Sequence, residues 1–460
     1  MITSPATMTK KIKFPALIIA LALFCTLLYI PVFSNDQAQR ALALTVMVAV
    51  LWITEAIPLA LTSLIIPVFA IFLKLASPPT AFREFSNPIL FLFMGGFVLA
   101  GALSRHSLDK MLAHKLIQLA KGNFYRSAIL LMFATSIIAC WVGNTSSVAM
   151  MIPLAIGMLV LIDKHKVSPE ARFLMIGIAY SANAGGILTM ISTPPNAIGA
   201  AILNLSFIEW MKYSVPMFLI TFPMMIMVLT LYFKPDKKMS IGDIKIETDP
   251  ATPVKTLAAI FLFTVILWLA EGIISPIMNI DSSFNSLVAI LAIFLLFVTR
   301  ILTWEEIINS IRWEILLLFG GGLTLGMLID ESGLGNLLIG QVAQLITTVP
   351  MIIFLWIIVL FSIVLTEFMS NTASAAMILP LLFILANQLK INPVIIVLPA
   401  TIAASYGFML PVGTPPNAMV FSTGFVPQKD MLKAGFMLNV LFSIALTTFF
   451  YLIFYTGANP

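Results

Sequence analysis

The sequence predicts an all-α integral membrane protein, with about eleven transmembrane helices and two re-entrant hairpins arranged as two inverted-topology repeats. Three observations carry that expectation. The 460 residues are 60% hydrophobic and only 10% charged, with a mean hydropathy of +1.06, which leaves too little polar surface to coat a soluble globule. Uncharged stretches of about 18 or more residues recur between residues 14 and 455, the length that crosses a hydrocarbon core of about 30 Å. The chain also repeats itself. Gly143-Asn144-Thr145-Ser146-Ser147-Val148-Ala149-Met150-Met151-Ile152-Pro153 returns as Ser370-Asn371-Thr372-Ala373-Ser374-Ala375-Ala376-Met377-Ile378-Leu379-Pro380, with Asn-Thr, Ser, Ala-Met and Pro at the same offsets.

A first span is expected over Phe14 to Phe33, too long and too poorly followed by small residues to read as a signal peptide. Spans two and three follow at Ala41–Ile57 and Leu59–Leu73, and a fourth at Ile89–Leu103. Leu108, Met111, Leu112, Leu116 and Leu119 then share one helical face, so Ser104 to Lys121 is expected along the interface. The uncharged run 127–161 has two arms too short to span separately, and basic residues at both ends. It reads as a hairpin entering and leaving on one side. Span five starts near Arg172 and is expected to end where Pro194-Pro195 removes two donors, and span six covers Val215–Tyr232. Residues 235–252 form a polar linker. The spans expected after it are 256–275, 284–299 and 315–329, then a second hairpin over 350–389, then 394–411 and 436–455.

Four pairs of segments match in order across that linker. Leu51-Trp52 to Glu55 answers Leu267-Trp268 to Glu271, and Phe93-Met94-Gly95-Gly96 answers Phe319-Gly320-Gly321-Gly322. Thr193-Pro194-Pro195-Asn196 answers Thr414-Pro415-Pro416-Asn417, and the Asn-Thr motif is the fourth, all at offsets of 216 to 227 positions. The organisation read from these matches is an amino-terminal span and loop (1–40), a first repeat (41–234), the linker and a second repeat (253–460). With the amino terminus in the cytoplasm, only Arg40, Lys74, Arg83, Lys212 and Lys390 of the 25 Lys and Arg fall outside. The linker is then cytoplasmic, the carboxyl terminus is outside, and the hairpins open to opposite sides.

Polar breaks at membrane depth are tolerated where protein buries them or where they line a cavity, and paired breaks in the two halves point to a transporter's binding site. An Asn-Thr pair ahead of an Ala-Met-rich helix reads as an N-cap, an end that attracts anions. The Thr-Pro-Pro breaks free carbonyls that suit a small hard cation. Within the four breaks there is no Lys, Arg, His or Asp, so a bound dianion would lack a side-chain counter-charge and would call for co-bound cations. The competing view is that Asn and Thr merely hydrogen-bond between helices. Glu55 and Glu271 read as structural, the glycine runs as sites of close packing, and Cys25 and Cys140 as two buried thiols outside any disulfide framework. An intramembrane hydrolase is disfavoured, since no His accompanies a Ser in the spans and no HExxH run exists; a channel is disfavoured by the broken, repeated helices.

These marks are similar to those of the divalent anion/sodium symporter family, over nearly the whole chain: Ser370-Asn371-Thr372, its counterpart Gly143-Asn144-Thr145, and the two Thr-Pro-Pro-Asn breaks. Gly143 departs from the family pattern, which has Ser there. The resemblance implies a homodimer in the plasma (inner) membrane. It implies sodium-coupled symport of C4-dicarboxylates such as succinate, malate or fumarate by an elevator mechanism, with dicarboxylate or citrate exchange as the alternative. Carried over by residue, it implies substrate contacts from Asn144, Thr145, Thr193, Ser370, Asn371, Thr372, Thr414 and Pro415. One sodium ion is implied among Ala139, Gly143, Asn144 and Ser192, and another among Thr366, Met369, Asn371 and Gly413. On this view Gly143→Ser restores a missing hydroxyl ligand.

Overall fold

In the computed structural model, residues 12–106, 111, 115, 118–162, 167–241, 254–280, 283–337 and 349–455 are described. In chain order the helices are α1 (Phe14–Tyr29), α2 (Asp36–Thr54), α3 (Leu59–Phe72), α4 (Pro78–Phe82), α5 (Ile89–Arg105), α6 (Phe124–Val142) and α7 (Asn144–Leu161). There follow α8 (Pro169–Gly185), α9 (Pro194–Leu203), α10 (Phe207–Phe233), α11 (Val254–Leu269), α12 (Glu271–Ile277), α13 (Phe284–Val298) and α14 (Trp304–Ser310). The last are α15 (Trp313–Glu331), α16 (Met351–Phe368), α17 (Asn371–Gln388), α18 (Pro393–Ala403), α19 (Pro415–Ser422) and α20 (Gln428–Tyr455). Among the described residues there is no strand, only a single bridge between Asn123 and Ser240. The all-α membrane fold is what the composition led us to expect. Nine helical stretches among the described residues, with Pro78–Arg105 (α4 through α5) taken as one, are long and apolar enough to cross a bilayer, or ten if α11 and α12, bent by 74° at Ala270, count as one span. Those nine include the two arms on either side of each Asn-Thr break, so the arms of the first, expected to be too short to span separately, are longer than expected at 19 and 18 residues.

Several boundaries differ from expectation for identifiable reasons. α1 stops at Tyr29 rather than Phe33 because Gln39 captures the exit: its Oε1 accepts from the Val32 and Phe33 N–H groups at 2.9 and 3.0 Å, and its Nε2 donates to Ile30 O at 2.9 Å. α10 begins well before Val215 because Ser206 and Glu209 form a capping box. The prolines at 194–195 and 415–416 do not terminate the preceding spans. α8 and α18 have already ended, at Gly185 and Ala403, and the prolines instead open α9 and α19. There the missing N–H costs nothing. Cys140 is buried as expected, whereas Cys25 is exposed on α1. Most of the interfacial segment 104–121, and the linker from residue 242 onward, lie outside the described residues.

The chain divides into two compact units. One gathers α1 to α4, α15 and α17 from Ala376 onward. Within it α3 and α15 cross so closely that a Cβ on Gly321 would come within 2.7 Å of Ser63 Cα, while Gly322 faces Ala376. Small residues permit such crossings. The other unit holds α5 to α14, α16, the first turn of α17, and α18 to α20. Gly95 plays the same part there, against Ala289 of α13. Its interior is built on α8, buried along nearly its whole length against α6, α7, α10 and α19. Buried polar side chains in this unit are tied down: Tyr180 OH lies 2.6 Å from Phe408 O, Trp210 Nε1 donates to Ile187 O at 2.9 Å, and Ser214 Oγ to Leu188 O at 2.8 Å. Glu271 also has a structural partner, accepting from Asn285 Nδ2 at 2.7 Å.

Candidate functional site

The first Asn-Thr break is a turn of one residue. α6 ends at Val142, α7 begins at Asn144, and Gly143 between them sits at φ +88° and ψ +156°. That region is open to glycine and nearly closed to residues with a Cβ. A Cβ on Gly143 would also stand 3.3 Å from the Ser192 carbonyl oxygen. Gly143 therefore has a backbone cause, and the expected gain from Gly143→Ser is withdrawn: the substitution strains the tip before it can offer a ligand. The capping role given to Asn144 is also corrected. Asn144 is the first helical residue, and no side chain caps α7.

Asn144 reaches sideways instead. Its Nδ2 donates to Asn183 Oδ1 at 3.2 Å, Asn183 Nδ2 donates to Thr414 Oγ1 at 3.2 Å, and Thr414 Oγ1 also accepts from the Asn417 N–H at 3.4 Å as the N-cap of α19. One chain of amides thus links the first tip to the break that opens α19. Asn144 Oδ1 and Thr193 Oγ1 are left buried without a hydrogen-bond partner among the described residues. Buried acceptors of this kind call for water, an ion or a ligand.

The two Thr-Pro-Pro-Asn breaks share one device. Asn196 Nδ2 donates to Gly186 O at 2.7 Å and Thr189 O at 2.8 Å; Asn417 Nδ2 donates to Gly407 O at 2.9 Å and Leu410 O at 3.0 Å. In each case the partners lie ten and seven residues before the asparagine. These carbonyls, freed by the early helix ends, were expected to be open to a cation, but the asparagine amides already occupy them. Ser192 Oγ turns the same way, donating to Gly186 O and Thr189 O. The amide oxygens of Asn196 and Asn417 are the unpartnered atoms here.

At the second tip α16 ends at Phe368, Met369 is extended at φ −140°, and α17 starts at Asn371. Thr366 Oγ1 lies 2.6 Å from Asn371 Oδ1 and 2.8 Å from Ala404 O. Glu367 is buried but accepts from the Met409 and Leu410 N–H groups at 2.8 and 3.1 Å and from Asn439 Nδ2 at 2.6 Å. With these donors the carboxylate braces the loop after α18 and has little left to offer a ligand.

Of the residues expected around the first sodium ion, Gly143 and Ser192 meet through the Ser192 carbonyl, while the Ala139 carbonyl accepts the Gly143 N–H at 3.1 Å. Of those around the second, Thr366 and Asn371 touch, and the carbonyl oxygens of Thr366 and Gly413 both lie 3.6 Å from a Cβ built on Gly407. Among the expected substrate contacts, Asn144 and Thr414 are joined through Asn183. Pro415 follows at the start of α19, and Thr193 precedes α9. Thr145, Ser370 and Thr372 are half-buried beside the tips, and their side chains bond to no other described residue.

Two functional candidates escaped the sequence reading. Asn183 is a fully buried amide in the last turn of an otherwise apolar helix, a signal that was visible. Arg312 had served only as a cytoplasmic charge in the orientation count. In the folded chain its Nη2 stands 3.9 Å from the position of a Gly143 Cβ and 3.5 Å from Ser146 Oγ. The four breaks themselves hold no cationic side chain, as expected, but Arg312 brings one to the first of them from outside.

Comparison with known proteins agrees with this architecture. The family described as citrate transporter matches residues 49–398 and 353–459. An uncharacterized transporter of Haemophilus influenzae is 38% identical over 95% of this chain and 96% of its own. The sodium-dependent dicarboxylate transporter SdcS of Staphylococcus saprophyticus is 33% identical over 93% of this chain and 88% of its own. Among solved structures, the YdaH transporter of Alcanivorax borkumensis superposes with a TM-score of 0.59 over 96% of this chain and 98% of that one, at 13% identity. MtrF of Neisseria gonorrhoeae gives 0.56 over 93% and 97%, at 12% identity. At such identities the likeness is one of fold.

Proposed function

The chain belongs to the citrate-transporter family, of the divalent anion/sodium symporter type, and on that premise we propose that this membrane transporter carries C4-dicarboxylates such as succinate, malate or fumarate together with sodium ions. The observation that carries the reading is the amide chain from Asn144 through Asn183 to Thr414, with unpartnered Asn144 Oδ1 at one end of it. It joins a hairpin tip of the first half to a helix break of the second, which is where inverted-repeat transporters hold their cargo. Amide and hydroxyl donors receive the carboxylates, while amide and backbone oxygens suit sodium, a hard cation. The naming of the SdcS relative for sodium and dicarboxylate supports the same substrate and ion.

In this reading substrate lies among Asn144, Thr145, Thr193, Ser370, Asn371, Thr372, Thr414 and Pro415, with sodium near Gly143 and Ser192 and near Thr366 and Gly413. The two repeats, 41–234 and 253–460, are inverted and alternate access by an elevator movement within a homodimer. The amino terminus is cytoplasmic and the carboxyl terminus outside. Uptake of radiolabelled succinate into proteoliposomes, with and without an inward sodium gradient, tests the proposal. Uptake that ignores sodium but responds to dicarboxylate trapped inside transfers the chain to the exchanger reading, which the cation at Arg312 favours. No uptake under either condition removes both.

A further inference from the structure

Arg312 lies between α14 and α15, outside the four breaks, yet its side chain reaches the first of them. Besides the contacts of Nη2 with Ser146 and the Gly143 position, its guanidinium carbon lies 5.9 Å from the centre of the Phe97 ring. The acid closest in sequence before it is occupied: Glu306 pairs with Arg105 and accepts from the Thr303 N–H at 2.8 Å. Arg312 itself pairs with no described carboxylate. It therefore presents an unneutralised planar cation beside a helix start that no side chain caps. Two donor sets converge there, the guanidinium fork and the first-turn N–H groups of α7, and both favour a carboxylate.

We propose that the Arg312 guanidinium is a carboxylate-binding group of the first tip, receiving one end of the dianion where the Gly143 backbone excludes a hydroxyl. This rests on the anion-transport reading and deepens it. The fixed charge makes the two tips unequal, because the first neutralises its carboxylate with a side chain and the second has only hydroxyls, amides and a co-bound cation. Phe97 holds the guanidinium plane by a cation–π contact.

Thermal unfolding of the purified full chain in detergent tests this, with succinate, citrate and sulfate titrated separately in sodium and in choline buffers. For the wild type, at least one anion raises the melting temperature. Arg312→Gln is expected to need about ten- to a hundredfold more of that anion, the loss of one charge-assisted hydrogen-bonded group. Arg312→Lys, which keeps the charge without the fork, falls between. Because Arg312 is exposed and its contacts with Ser146 and Phe97 are weak, either change lowers the melting temperature without ligand only slightly. Sodium stabilisation in the absence of anion stays the same or improves, whereas a merely structural arginine would weaken both. If Arg312→Gln responds to anions as the wild type does, the assignment is overturned and the transport reading stands. If citrate or sulfate, but not succinate, stabilises the wild type and Arg312→Gln loses that effect, the dicarboxylate reading falls and Arg312 stands. If no anion stabilises the wild type, both fall.

Discussion

The two Asn-Thr tips come from matching stretches of sequence but are held by different hands. At the second, Thr366 reaches Asn371 from within the same hairpin, close to the carbonyl of Ala404. At the first, the position matching Thr366 is Ala139 and the position matching Ala404 is Asn183, so the polar group has changed sides and Asn144 is held from α8. The exchange alters what each tip offers. Asn371 has its amide oxygen engaged and its nitrogen bonded to no described residue; Asn144 has its nitrogen engaged and its oxygen unpartnered. A duplicated motif can therefore keep its residues and still present a donor at one end and an acceptor at the other.

The largest effect is expected where one side chain serves both halves. Asn183→Leu removes two hydrogen bonds and leaves Asn144 Nδ2 with no partner among the described residues, at roughly 1–3 kcal/mol for each buried group left unpaired. Succinate uptake should fall by about a hundredfold or more while gel filtration still shows folded protein. Wild-type uptake from this variant would break the comparison at its root. Next comes Gly143→Ala, which forces a Cβ into a conformation costing roughly 1–3 kcal/mol. Sodium half-saturation of uptake should rise about five- to a hundredfold, against less than about twofold for Met369→Leu in the extended backbone of the second tip. Thr366→Val should weaken sodium by about tenfold and Thr366→Ser should restore it, because the hydroxyl's hold on Asn371 is the asset. Equal behaviour of Val and Ser would mean that packing alone matters there. The smallest difference pairs two glycines at matching positions. A Cβ on Gly186 collides with the Asn144 side chain, whereas on Gly407 the nearest atom is Thr414 Cγ2 at 3.2 Å. Gly186→Ala should cost several-fold in uptake, and Gly407→Ala should stay near wild type.

The fold class and the location of the breaks were legible because they depend on one-dimensional signals: apolar run length, and the reappearance of Asn-Thr and Thr-Pro-Pro-Asn. Helix ends were less so. The prolines at 194–195 and 415–416 mark starts rather than stops, and the real stops, at Gly185 and Ala403, come ahead of loops whose carbonyls, at Gly186 and Gly407, a later asparagine takes. No local propensity encodes a bond that runs ten residues backward. Gly143 looked like a missing serine because sequence shows side chains and hides φ. Arg312 was misjudged because its charge was assigned by its place in the chain, whereas its chemistry depends on the tip it meets 166 residues away.

Arg312 also bears on the electrical work of a transport cycle. A sodium ion that neutralises a carboxylate is released with the cargo, so its charge crosses the membrane once per turnover. The membrane potential then contributes about 2.3 kcal/mol for each elementary charge per 100 mV. A guanidinium is bound covalently to the chain and returns with it. Each carboxylate it neutralises is one that needs no inorganic ion, and one net charge fewer is left inside. Current per molecule of succinate should accordingly be smaller in the wild type than in any variant that recruits an additional sodium ion to replace Arg312. The arginine would trade concentrating power for a carrier that still turns over when the membrane is depolarised.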